Sequence, residues 1–206
     1  MSELDLETVT SQYFDVLKEL GNIGAGNAMT ALSQMIGSKI DMRVPQVKLL
    51  DFNELGGMIG GEEQIMVGVF LGVEGDITGS MLFLLELSSA KHLINKVMMG
   101  MGDPNSDELT DMERSAMQEV GNIITGAYLN ALSSLTNLKI YPSPPQLAID
   151  YAGALLSVPA AEFGILGDNI LLIQTKFSDD VDLDGYFILI PDMESYQKIL
   201  HALGVM

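Results

Sequence analysis

The chain of 206 residues contains no cysteine. That removes a disulfide framework and any thiolate metal site, and it fits a reducing compartment. Histidine is almost as scarce. His92 and His201 each fall in a stretch with no neighbouring His, Cys or paired carboxylates, so neither reads as a metal ligand. Basic residues are few: ten Lys and Arg stand against 28 Asp and Glu, a net charge of −18. Such a chain is unsuited to neutralising the phosphates of a nucleic acid or to docking on an anionic membrane. No run of 18 apolar residues occurs, and the apolar stretch 65–73 is broken by glycine. The first residues, Met-Ser-Glu-Leu-Asp-Leu-Glu, lack the apolar centre of a signal peptide. The expectation is a soluble, cytoplasmic protein. Its apolar fraction of 48% supports a substantial core, since a chain of this length buries about 70% of its unfolded surface.

What is present is a repeat. Residues 15–47 align with 115–147 without a gap, and twelve of the 33 positions are identical: Glu19, Gly21, Asn22, Ile23, Gly26, Ala31, Leu32, Ser33, Lys39, Ile40, Pro45 and Gln46 each recur 100 residues later. Chance at ordinary amino-acid usage gives about two. The chain is a single domain over 1–206 built from two repeats, 1–102 and 103–206, and each repeat carries one Glu and one Asn at helical spacing.

Each half reads helix, strands, helix. Apolar residues Phe14, Leu17, Leu20, Ile23, Ala28, Ala31, Leu32 and Met35 recur at three- and four-residue steps, which predicts a helix over 11–36 with Thr10 as N-cap and Gly37 as stop. The second copy has Thr110 with Glu113 three residues on, a capping-box signature, and its helix should run to about 135. Prolines then impose extended segments. Strand patterns over 64–72 and 78–85, and over 169–177 and 185–190, suggest a hairpin in each half. Closing helices are predicted over 88–99 and 193–203. The turn- and acid-rich stretch 101–109 separates the halves. The predicted fold class is α+β: an internally duplicated pseudo-twofold domain with long helices packed on one shared, mainly antiparallel sheet. Two separate halves would leave sheet edges open.

Glu19 and Asn22 are three residues apart on a helix, as are Glu119 and Asn122, so each pair shares a face with about 4.5 Å of rise between its members. Both pairs lie opposite the apolar stripe and should face outward. Gly-Asn in mid-helix is locally costly, about 1 kcal/mol for the glycine alone relative to alanine. Surface positions such as Lys18/Gln118 and Thr30/Asn130 have diverged between the copies, whereas Glu, Gly and Asn have not. A solvated helix face with a packing glycine explains a single pair; its recurrence favours a role. Asn can orient a water through its amide, and Glu can pair with a cation. Neither half offers a Ser-His or Cys-His arrangement, so the pair reads as part of a site that something else completes. The small residues Gly21, Gly24, Ala25 and Gly26 would let a partner approach the helix backbone.

The pattern Asp15, Glu19, Asn22 and then Pro45 with 22 residues between, repeated as Ser115, Glu119, Asn122 and Pro145 with the same gap, resembles the CheC-type phosphatases of bacterial chemotaxis (the CheC, CheX and FliY family). The resemblance covers nearly the whole chain, because the duplicated architecture is also the family's. Two intact motifs and the absence of extra segments place it nearest the CheC branch. It implies hydrolysis of the aspartyl-phosphate of a response regulator, CheY. Asn22 or Asn122 would orient the attacking water, and Glu19 or Glu119 would contact the regulator's active-site lysine, with Asp15, Ser115, Pro45 and Pro145 flanking. It implies no metal or cofactor of the protein's own, Mg²⁺ arriving with the regulator, and a second partner, the receptor deamidase CheD. A monomer is expected. The alternative is a non-catalytic adaptor that binds the regulator or CheD.

Other patterns fail on inspection. Gly24-Ala-Gly26 begins like a dinucleotide fingerprint, but the third glycine is missing and no strand precedes it. Asp180-Val-Asp182-Leu-Asp184-Gly185 begins like a calcium loop, but its twelfth position is Pro191 and a strand follows. It reads as a solvated acidic turn. Met98, Met99 and Met101 read as core packing at a helix end, with an adaptable binding surface as the alternative.

Overall fold

The computed structural model describes residues 11–103, 106, 108–163, 169–178 and 182–204. The long helix α1 spans Ser11–Ile36. The proposed cap Thr10 lies outside the described residues. At the other end Gly37 takes φ +72°, the left-handed conformation that costs glycine nothing, and its N–H closes on the Ser33 carbonyl at 3.0 Å. The second long helix, α4, spans Asp111–Thr136. Its capping box is complete: Thr110 Oγ1 accepts from the Glu113 amide, and the Glu113 carboxylate accepts from the Thr110 amide at 2.8 Å. The stop is Asn137 at φ 57°, one hundred residues after Gly37 and in the same left-handed conformation.

Among the described residues seven strands form one sheet: β1 (Asp41–Asp51), β2 (Ile65–Gly75), β3 (Gly79–Glu86), β4 (Ile140–Pro142), β5 (Gln146–Tyr151), β6 (Asn169–Ser178) and β7 (Asp182–Pro191). The order is β1-β6-β7-β3-β2-β4, with β5 also on β2, and every pairing is antiparallel. The two hairpins β2–β3 and β6–β7 meet in the middle. There Phe83 pairs with Phe187, its counterpart in the other repeat, so the pseudo-twofold passes through that pair. Each half then sends its first strand across to the other half's hairpin, β1 onto β6 and β4–β5 onto β2. The register obeys the same symmetry: Asp51↔Asn169 answers Tyr151↔Ile65, and Gln46↔Gln174 answers Gln146↔Phe70.

Strand alternation sorts the core into two clusters. On β3, Met81, Phe83 and Leu85 face the cluster under α1, α4 and the closing helices α3 (Leu87–Val97) and α6 (Met193–Ala202); Leu82 and Leu84 face the other side. That second side is covered by two helices that are not among the predicted elements, α2 (Phe52–Met58) and α5 (Ala152–Phe163). Leu55 on α2, and Leu155 and Leu156 on α5, fill this second cluster. The layering is therefore helix–sheet–helix. The helical pattern was hidden by two glycines in seven residues of α2 and by Pro159 inside α5. Burial of their apolar residues supplies what propensity withholds.

Candidate functional site: paired Glu-x-x-Asn faces on α1 and α4

The apolar stripe of each long helix turns the motif outward. Leu17, Leu20, Ala28 and Leu32 are buried on α1, as are Met117, Val120, Ile124 and Leu132 on α4. Asp15, Glu19 and Asn22 are exposed, and so are Ser115, Glu119 and Asn122. At 100° per residue Asn22, Asp15 and Glu19 fall within an arc of about 60°. Ser115 back-bonds to the Asp111 carbonyl at 2.9 Å.

The proline comes back to the same place. From Asn22 the chain descends about 21 Å of helix, turns, and returns along β1 at about 3.3 Å per residue. Val44, the residue before Pro45, then sits 3.1 Å from where a β-carbon on Gly21 would lie. In the second half Gln118, adjacent to Glu119, donates from Nε2 to the Pro145 carbonyl at 3.4 Å. Both prolines occupy a bulge. The β1–β6 register shifts between Arg43 and Gln46, and β4–β5 spends three residues, 143–145, where β2 spends two, 71 and 72. Proline lacks the N–H a regular ladder needs, and a bulge is where that is tolerated. Ser143 stitches this bulge to β2, its Oγ accepting from the Gly72 amide at 2.8 Å and its own amide donating to the Gly72 carbonyl at 2.9 Å.

Each motif helix is backed by the other repeat. A β-carbon on Gly21 would stand 3.4 Å from Ile173 of β6, and one on Gly121 2.6 Å from Val69 of β2. The helix of one repeat is thus seated on a hairpin of the other.

The small residues divide. Gly21 and Gly121 let the helix approach the sheet, Gly24 makes room for the ring of Tyr128, and Ala25 is buried. Gly21, Gly24 and Ala25, three of the four small positions on α1, therefore serve packing and are closed to a partner. A β-carbon on Gly26 or Gly126 would meet nothing within 4 Å. Gln118 is not the surface position that its divergence from Lys18 suggests; it is half-buried and ties α4 to the Pro145 bulge. The recurrence of Gln46 beside Pro45 was the available hint that this region is shared.

The remaining candidates stay apart from these faces. Met98 packs against the core, whereas Met99 and Met101 are 79% and 73% exposed, so core packing accounts only for the first. Asp180 lies outside the described residues, and Asp184 pairs with Lys176 at 3.4 Å within the hairpin. His92 is half-buried and His201 exposed. Among the described residues no cluster of three or more His, Cys, Asp or Glu is arranged to hold a metal ion, and no helix is long and apolar enough to cross a membrane.

The chain is similar to known proteins. The profile of the CheC-like family matches residues 15–49 and 112–149, the two stretches that hold both motifs. The CheY-P phosphatase CheC of Bacillus subtilis (strain 168) is 37% identical over 201 residues, covering 95% of this chain and 96% of its own. Among solved structures, Thermotoga maritima FliY superposes with a TM-score of 0.76 at 21% identity, covering 96% of this chain and 98% of that one. CheX from a Borrelia burgdorferi CheX–CheY–BeF3–Mg²⁺ complex superposes at 0.52 with 18% identity, covering 82% and 96%. With two motif-bearing helices on an interleaved sheet, and this degree of identity along almost its full length, the chain belongs to the CheC-like family.

Proposed function

We propose that the protein is a phosphatase that hydrolyses the aspartyl-phosphate of the chemotaxis response regulator CheY. The observation that carries this reading is the pair of exposed Glu-x-x-Asn faces, each built on a rigid helix and backed by the proline bulge, in a chain 37% identical to a CheY-P phosphatase.

The faces suit a reaction in which the substrate brings most of the chemistry. Phosphoryl transfer needs positioning and charge stabilisation more than covalent help. Asn22 and Asn122 each present an amide that can hold a water in line with the phosphorus, converting a random encounter into an oriented one. Glu19 and Glu119, one turn earlier, accept a hydrogen bond from the regulator's active-site lysine; such a charged contact contributes about 1.5–3 kcal/mol. Asp15 and Ser115 extend the docking face by a further turn. Mg²⁺ arrives with the regulator. CheD is a second partner. The protein works as a monomer in the cytoplasm.

The experiment is loss of phosphate from the regulator with wild type, Asn22→Ala, Asn122→Ala and the double variant. Each single variant should retain part of the activity and the double variant none above the regulator's own rate. A double variant as fast as wild type overturns the role of the asparagines. A wild type that binds the phosphorylated regulator without accelerating hydrolysis would instead make the protein an adaptor.

A further inference from the structure

Gly26 and Gly126 are identical in the two repeats, and packing does not account for them. Both lie inside 26-residue helices. Neither takes a positive φ, and a β-carbon built on either would meet nothing within 4 Å. Their neighbours Gly21, Gly24 and Gly121 each have a core side chain pressed against them. Glycine in a helix interior costs about 1 kcal/mol relative to alanine. The chain therefore carries that cost twice, at symmetry-related positions, without an internal reason.

Their placement supplies an external one. Gly26 follows Asn22 by four residues, and Gly126 follows Asn122 by four. On the helix that is a rotation of about 40° and a rise of about 6 Å. The rotation lies between those of Asn22 and Glu19, so the glycine continues the motif face by one turn. Both glycines are half-exposed. Where Gly26 interrupts the side chains, the backbone itself is the surface, and Thr30 holds the Gly26 carbonyl from the next turn at 2.9 Å. A notch one residue wide lies beside the amide that would hold the attacking water.

We infer that Gly26 and Gly126 are specificity-determining contact residues of the two faces, leaving a side-chain-free notch in which the backbone of a loop of the phosphorylated regulator lies directly against the helix. This rests on the phosphatase reading for the identity of the partner. Main chain is the part of a partner that benefits most from a missing side chain, because an approach within van der Waals distance of a helix needs glycine on one side. A β-carbon here would push the regulator outward by about the size of a methyl group, and a displacement near 1 Å at a reacting centre is enough to cost ~100-fold in rate.

The test is the pair Gly26→Ala/Gly126→Ala, followed by Gly26→Leu/Gly126→Leu. The alanine protein should unfold at higher denaturant than wild type, because nothing obstructs the new methyl. Its kcat/KM toward the phosphorylated regulator should fall at least tenfold, and the leucine protein's further. Unchanged kcat/KM in the leucine protein would overturn the inference. So would a loss of stability in the alanine protein, which would make the glycines packing residues. Affinity for the regulator loaded with BeF3 and Mg²⁺, measured by calorimetry, separates the two readings. If wild type binds it but does not hydrolyse phosphate, the phosphatase reading fails, and the notch is still judged by whether the leucine protein binds at least tenfold more weakly.

Discussion

The aromatic ring of Tyr128 on α4 occupies the position that a β-carbon on Gly24 of α1 would need. The symmetry-related positions are Ile124 and Ala28, both fully buried. Where one repeat places a glycine against a large ring, the other has a branched side chain and an alanine at the matching positions. The divergence of Gly24 to Ile124 is therefore matched by that of Tyr128 to Ala28, on the buried side of the helices beneath the exposed motif faces. It does not by itself make one face weaker than the other.

Gly24→Ile should destabilise the protein by about 1–3 kcal/mol through overpacking against the ring. Tyr128→Ala should cost about 3–5 kcal/mol as a cavity. The double variant reproduces the pairing of the other repeat, so its loss should be smaller than the sum by about 0.5–3 kcal/mol. Urea unfolding of the four proteins measures this directly, and strict additivity would contradict the compensation.

Tyr128 and Tyr196 are buried tyrosines with opposite outcomes on removal of the hydroxyl. Tyr128 stacks on Phe187 with ring centroids 4.2 Å apart and shares a hydrogen bond of 2.9 Å with Thr175. Burial pushes its phenol up to about 12, although the Thr175 bond favours ionisation. Tyr128→Phe leaves Thr175 Oγ1 unpaired in the core and should cost about 1–3 kcal/mol. The Tyr196 hydroxyl is buried without a hydrogen-bond partner among the described residues, and burial raises its phenol to about 12 as well. Tyr196→Phe should be neutral or stabilising in the same unfolding assay.

Glu113 makes α4 sensitive to acid. Its carboxylate is buried; it accepts from the Thr110 amide and hydroxyl, each at 2.8 Å, and from the Asp103 amide at 3.0 Å. The Thr110 amide is the largest influence holding its pKa below the ordinary 4.5; burial opposes it, and the Thr110 hydroxyl, the Asp103 amide and the charge of Lys91 add to it. A depressed folded-state pKa stabilises the protein above the unfolded value, and that stability is lost as pH falls through the depressed value. Denaturation midpoints between about pH 6 and pH 3 should therefore drop more steeply for wild type than for Glu113→Gln. Parallel profiles would show that the carboxylate is not responsible.

Asn22→Ala/Asn122→Ala should raise stability while removing activity. Both side chains are exposed in mid-helix, where alanine is favoured over asparagine by up to about 0.7 kcal/mol per site. A gain in unfolding free energy together with a loss of hydrolysis is the signature of residues kept for function. A loss of stability would instead make the asparagines structural.

Much of this could be read in the sequence because it is local. The limits of the long helices follow from the Thr110–Glu113 capping box, from Gly37, and from apolar steps of three and four. The outward direction of Glu19, Asn22, Glu119 and Asn122 follows from the same periodicity, since a helix with one buried stripe has its opposite face defined. The duplication and the recurring gap between Asn and Pro are properties of the string itself. Tertiary structure decided the rest. The exchange of β1 and β4–β5 between halves depends on pairing between residues more than 60 apart, which no short window contains. The helices α2 and α5 exist because Leu55, Leu155 and Leu156 find a second core on the far side of the sheet, although Gly56 and Gly57 in one and Pro159 in the other argue against a helix. The glycines were alike as letters. Only the positions of Val44, Val69 and Tyr128 distinguish those that admit a neighbouring element from Gly26 and Gly126, which remain open. A glycine's role is set by what stands where its side chain would be, and that is a property of the packed molecule.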